Sequence, residues 1–334
     1  MNQLFNSNRV RGANRFFFLA ALVSGTLFGA CSGGSGTSRI AGMPQTAENV
    51  IRPQALRTIE TVLPAAAVKA ASRGYTIYIV SAGSNTVTSY TSKGKQTSPT
   101  ITDGLSTPLV DTVDKNGKIY VTNWPSDNES YVSTYTPAGT RTTPTITNIS
   151  GATGVAVDAN GKIYVANNFG GSVNLGYVST YNADGSPTTP TITKGISQPD
   201  CVAVDRNGKI YVANFGGNDI TTYKTDGKRT TPTITAGISQ PVCVAVDANG
   251  KIYITNRNGG SGFSVTTYSK DGKQTRPTIN TGLDFPDGVA VDARGKILVV
   301  NDGANAMTTY TKAGKQTTPT ITSELNEPDG IALH

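Results

Sequence analysis

One phrase recurs along this chain of 334 residues. "GKIYVANFGGNDITTYKTDGKRTTPTIT" at 208–235 returns at 250–280 as "GKIYITNRNGGSGFSVTTYSKDGKQTRPTIN" and at 295–322 as "GKILVVNDGANAMTTYTKAGKQTTPTIT". Aligned on one isoleucine, the copies begin at Ile77, Ile119, Ile163, Ile210, Ile252 and Ile297, in steps of 42, 44, 47, 42 and 45. A unit of this length makes one small sheet that cannot bury its faces alone, so neighbours must stack. Each copy divides into four short runs: strand A "GVAVD", strand B "KIYVAN", strand C "VTTY" and strand D "PTIT". All four are rich in β-branched and aromatic residues, as strands are.

The turns follow the same division. Asn116-Gly117, Asn160-Gly161, Asn207-Gly208 and Asn249-Gly250, with Arg294-Gly295, separate A from B. They predict tight hairpins in which both turn residues take positive φ. Asp-Gly or a lone glycine separates C from D. Strand D carries a proline in every copy, at 99, 144, 190, 232, 277 and 319. Proline cannot donate to a ladder, so D is expected at the outer edge and A at the central axis. The tyrosines of B and C (Tyr120, Tyr164, Tyr211 and Tyr135, Tyr223, Tyr268 among them) are expected between the stacked sheets.

Residues 75–102 supply B, C and D without an A, and the final "EPDGIALH" supplies an A alone. The two fragments complete one unit. The expected fold is an all-β, six-bladed β-propeller of four-stranded blades, closed by the C-terminal strand joining the N-terminal blade. It would span 71–334 as one domain. The phrase "PDGVAVDARGKILVVND" at 286–302 resembles the NHL repeat, and the family also touches the gluconolactonase and regucalcin-like propellers. NHL repeats usually close strand B with aspartate, whereas this chain has Asn123, Asn167, Asn214, Asn256 and Asn301, and Ser81 in the first blade. The fold alone does not name an activity.

The N-terminus carries an address. Residues 1–15 are polar and basic, and 16–30 read "FFFLAALVSGTLFGA" before Cys31. A basic start, an apolar run and small residues make a secretory signal over 1–30. Leu27–Cys31 resembles a bacterial lipobox, which implies a lipidated Cys31 and a membrane anchor. Ser32, not being acidic, implies the outer membrane of a Gram-negative envelope. Residues 31–70 then form a flexible tether with a weak helical period interrupted by Pro53.

Loop length varies from the end of B to the start of C. The long segments "WPSDNESY", "NFGGSVNLGY" and "RNGGSGFS" contain Trp124, Phe169, Arg257 and Phe263. Function usually sits on loops held by a rigid frame, so this end, the top, is the expected binding surface for a protein, peptide or saccharide. The D–A segments reach the same end, where Asp200, Asp287 and Asp329 open strand A. In gluconolactonase-like enzymes the aspartate of "PDG" binds a divalent metal, so the resemblance implies a cation such as calcium at these three residues and a metal-dependent hydrolase as the alternative. The plainer reading is that an aspartate there caps the turn into strand A. The matching positions in blades 2 and 5 are Leu109 and Val242. Asp111 stands where other A strands have Val155, Val202, Val244, Val289 and Ile331, and either faces channel water or a cation, or marks a slip in register. It joins the candidate ligand-binding residues.

Cys201 and Cys243 fall at one position in adjacent blades, and the sequence leaves open whether they pair. The sole histidine, His334, excludes a His-based triad and the histidine-dependent lyases built on similar propellers. The formal net charge of +7 falls to +4 once Arg9, Arg11 and Arg15 leave with the signal, and no basic cluster is interleaved with aromatics. Nucleic acid is therefore not an expected partner. Lysines gather at the opposite end, in the A–B and C–D turns, as solubilising turn residues.

Overall fold

A computed structural model describes residues 74–126, 129–169, 175–257 and 262–334. The signal segment 1–30, Cys31 and the tether 31–70 lie outside the described residues, as do parts of the three long loops. The described strands form six four-stranded antiparallel sheets in a ring. Five blades follow the chain in order A to D. The first is assembled from both ends, in the order β24 (Pro328–Leu333), β1 (Thr76–Ser81), β2 (Thr86–Thr91), β3 (Gln96–Ile101). Ile79 lies opposite Ile331, and His334 exchanges backbone hydrogen bonds with Thr76 at 2.7 and 3.0 Å.

Strand B is buried along its whole length in blades 2 to 6. That is the pattern of a strand covered on both faces, and each buried aliphatic side chain contributes about 1.5–3 kcal/mol. The core is divided among the seams. Tyr164, Ile192, Val202 and Val212, for instance, pack blade 3 against blade 4. Strand D alternates exposed and covered residues and ends every sheet, as its proline requires. Those prolines also pack: the C–D glycine of each blade abuts the strand D proline of the blade before it, from Gly139 on Pro99 round to Gly94 on Pro319. A Cβ at any of the six would collide with the ring, and each glycine has φ near +80°.

The A–B turns differ in detail from the sequence expectation. Gly117 has φ +83° but Asn116 is not in the left-handed region. The loop is a type I turn with a glycine bulge, closed by Gly117 N donating to Asp114 O and Asp114 N to Lys118 O, both at 3.0 Å. The deciding residue is the preceding aspartate. Asp114 Oδ1 accepts from Asn116 N and Lys118 N, and the arrangement repeats at Asp158, Asp205, Asp247 and Asp292. The other carboxylate oxygen faces a strand B tyrosine hydroxyl, at 3.2 Å for Asp158, Asp205 and Asp247.

The turn lysines are tied as well as solubilising. Lys118, Lys162, Lys209, Lys251 and Lys296 each cross their own blade to donate to the carbonyl before the strand D proline. The first four also lie 5.4–5.8 Å from a tyrosine ring centroid. Blade 6 has Leu298 in place of that tyrosine, and Tyr75 of blade 1 reaches across the seam instead. Tyr75 packs against the cluster containing Leu298 and stands near Asp292; its burial, and then that carboxylate, push its phenol up.

Candidate functional site

The top end is built by six matched loop contacts. The first residue after strand B donates its backbone N–H to the carbonyl just before strand A: Ala82 to Glu327, Trp124 to Thr107, Asn168 to Gly151, Phe215 to Gln198, Arg257 to Gln240 and Asp302 to Phe285, at 2.8–3.1 Å. The accepting residue has positive φ in every blade, glycine in blade 3 and a side-chain-bearing residue elsewhere. The B–C and D–A loops are thereby locked side by side.

A second bond separates short loops from long ones. In blades 1, 4 and 6 the B–C loop is short and carries Asn85, Asn218 or Asn305 at φ of 54, 51 and 48°. Asparagine tolerates this left-handed backbone well. Each side-chain oxygen accepts the backbone N–H of the next blade's Thr107, Gln240 or Glu327, at 2.6–2.7 Å. Those three loops are spent on tying seams. The long loops of blades 2, 3 and 5 carry Trp124, Phe169 and Phe263, while the short loop of blade 4 keeps one ring, Phe215.

Four of the five sequence-derived ligand candidates fall into two groups there. Trp124 and Phe169, from adjacent blades, meet edge to face with centroids 5.4 Å apart. Phe263 meets Phe285 at 4.8 Å, and the Arg257 guanidinium lies 5.7 Å from the Phe285 ring centre. Arg257 Nη2 also donates to both Asp287 carboxylate oxygens, at 2.5 and 2.7 Å. That pair bridges blades 5 and 6, with side chains 12% and 3% exposed. Asp111 joins neither group.

Asp287 is therefore committed to a cation the protein itself supplies. Asp200 and Asp329 sit second in their own inner strands, Pro199–Val204 and Pro328–Leu333. Among the described residues no three His, Cys, Asp or Glu side chains come together to hold a metal ion. Asp287, one of the three carboxylates expected to hold a divalent cation, is engaged by the Arg257 guanidinium.

Asp111 is 4% exposed on the inner strand Pro108–Val113. It pairs with Val121 as Val155 pairs with Val165 and Val202 with Val212, so the register has not slipped. Neither carboxylate oxygen has a hydrogen-bond partner within the protein. Burial holds its carboxyl well above the usual carboxylate range.

Of two further features of the top end, one was not picked out by sequence reasoning and the other was read there only as a departure from the NHL pattern. Phe285 is 41% exposed although apolar, and its signal was its position: other blades have Thr107, Gly151, Gln198, Gln240 or Glu327 there. The strand B asparagines are the second. Asn123 Nδ2 donates to Val121 O and Ser133 Oγ, while its Oδ1 accepts from Ser106 N. Asn214, Asn256 and Asn301 repeat the last bond with Ser197, Ser239 and Asp284. The D–A approach to blade 3 is different, because strand D of blade 2 runs on to Ile149, and in blade 3 the buried Oδ1 atoms of Asn167 and Asn168 have no partner within the protein. Both precede Phe169.

No protein-family model matches the sequence, and no curated protein matches it. Solved structures do match. A chain of a nidogen/laminin complex aligns at TM-score 0.62 and 14% identity, over 78% of this chain and 98% of that one. A protein of unknown function from Bacteroides caccae aligns at 0.60 and 13%, over 78% and 99%. Streptogramin B lyase aligns at 0.55 and 14%, over 78% and 91%. At these identities the likeness is one of fold, and this chain is a six-bladed β-propeller.

Proposed function

We propose that the chain is a lipid-anchored binding or scaffold module of the cell envelope, which takes a protein, peptide or saccharide on its top face. The observation that carries this reading is the split among the top loops. Three hold the ring together through asparagine, and the other three place Trp124, Phe169, Arg257 and Phe263 at the same end. Flat rings offer contact area at small entropic cost and suit sugar or peptide surfaces. The buried acceptors of Asn167 and Asn168 suit a hydroxyl or amide donor. The NHL-like phrases agree with such a role, and the match to a chain of a complex named for two proteins supports a macromolecular partner. The gluconolactonase-like alternative would need Asp287 as a metal ligand, and the Arg257 pair opposes it. The anchor rests on the apolar run before Cys31 and would place the domain at the outer membrane.

The test follows the emission of Trp124, the sole tryptophan. Titrating the protein with soluble envelope oligosaccharides and with peptide pools should change that emission saturably, and Phe169→Ala should weaken the response at least tenfold. No saturable change with any pool would overturn the binding reading. In cells, Cys31→Ser should move the protein out of the membrane fraction; unchanged partitioning would overturn the anchor.

A further inference from the structure

Cys201 and Cys243 are third in the inner strands of blades 4 and 5, Pro199–Val204 and Pro241–Val246. Their registers match, with Cys201 opposite Ala213 and Cys243 opposite Thr255. One step round the ring therefore brings one beside the other. Elsewhere this position shows how closely the inner strands pass. A Cβ built on Gly154 would lie 2.9 Å from Cys201 Cα, one on Gly288 2.7 Å from Asp329 O, and one on Gly330 2.8 Å from Leu109 O. Glycine accommodates the approach at those seams. Between blades 4 and 5 two thiols fill the space.

The sulfurs are 2.7 Å apart, inside ordinary non-bonded contact, though both cysteines are free. Cys201 Sγ also accepts from Val244 N at 3.5 Å, so it is already seated on the neighbouring strand. Both residues pack into one cluster with Tyr211, Val244 and Ile254. We propose that Cys201 and Cys243 are an oxidation site, forming a disulfide that staples blade 4 to blade 5 at the channel wall.

The chemistry needs an external disulfide, either a small molecule or a thiol–disulfide oxidoreductase. Cys243 is the partly exposed partner and Cys201 is 3% exposed. The hydrogen bond to Cys243, and then burial, push the Cys201 thiol up, so it waits as the protonated, resolving sulfur. The Cys243 thiolate attacks one sulfur of the external disulfide, that S–S bond breaks, and one thiolate leaves. Cys201 then loses its proton and attacks the Cys243 sulfur, releasing the second thiolate. The pair gives up two electrons and two protons, and one external disulfide becomes two thiols. Joining positions 42 apart restricts the unfolded chain and should raise the melting temperature by roughly 5–10 °C.

The experiment uses the full chain equilibrated with oxidised glutathione, then alkylated under denaturing conditions and digested with trypsin. Mass spectrometry should find peptide 195–206 joined to peptide 230–251, and reductant should separate them. The oxidised protein should melt higher than the reduced one, and Cys201→Ala or Cys243→Ala should abolish that difference. Alkylation of both cysteines after oxidation, or glutathione held on Cys243 without the crosslink, would overturn the proposal. The mapping on the parent protein decides the question even if a variant does not fold.

Discussion

Asp111 sits where five other blades place valine or isoleucine, at a seam between apolar faces. An unpartnered carboxylate there is costly, so the folded protein keeps it protonated at pH values where the unfolded chain ionises it. The folded value lies above the unfolded one. Stability is thus lost as pH rises from about 4 through the folded value, at up to about 1.4 kcal/mol per pH unit. Asp111→Val should raise the melting temperature by several degrees at pH 7–8, with the gain shrinking towards pH 4 in a thermal-denaturation series. A gain independent of pH would mean that volume alone was corrected, and a loss at every pH would mean that the carboxyl holds something in place. The oddity of Asp111 was legible from alignment of the repeats, but its orphaned oxygens were not, because only the seam shows what faces it. The pairing of Arg257 with Asp287 was hidden for the same reason: the two are 30 positions apart and come from different blades.

The strand is the scale at which repetition speaks most plainly. The order A to D, the outer position of the proline strand and the completion of blade 1 by the last residues were all readable, because each follows from backbone bonding that the sequence pattern obliges. The turns were read less well. Asn-Gly suggested two left-handed residues, whereas the preceding aspartate accepts two backbone N–H groups and selects a type I turn with one bulge glycine. The closing strand offers a sharp test. Deleting 323–334 removes Leu325 and Ile331 from the seam of blades 6 and 1 and bares β1, whose run "IYIV" is wholly buried. An exposed apolar edge of that kind recruits other strands. The truncated protein should melt at least 10 °C lower or aggregate, as followed by calorimetry and light scattering. An unchanged melting temperature would contradict closure by this strand.

At the scale of the molecule, the two ends of the propeller differ in construction. At the bottom, the A–B lysines, aspartates and tyrosines are bonded to one another and to strand D. At the top, three short loops tie seams and the three long ones carry Trp124, Phe169 and Phe263, with an internally neutralised arginine beside one pair. Sequence reasoning located this end through loop length, because length survives alignment. It did not see the pairing of the rings, which depends on how adjacent blades present their loops, and it passed over Phe285, which belongs to a D–A segment of the common length. The central claim is that binding belongs to the top face. It is tested most directly by comparing Phe169→Ala/Phe263→Ala/Phe285→Ala with Lys95→Ala/Lys273→Ala/Lys315→Ala, exposed lysines of the bottom C–D turns, on one array of envelope saccharides and peptides. The account predicts that the parent is retained, that the lysine variant is retained equally, and that the phenylalanine variant loses at least 90% of the signal while still folding by circular dichroism. Retention of the phenylalanine variant together with loss of the lysine variant would contradict it.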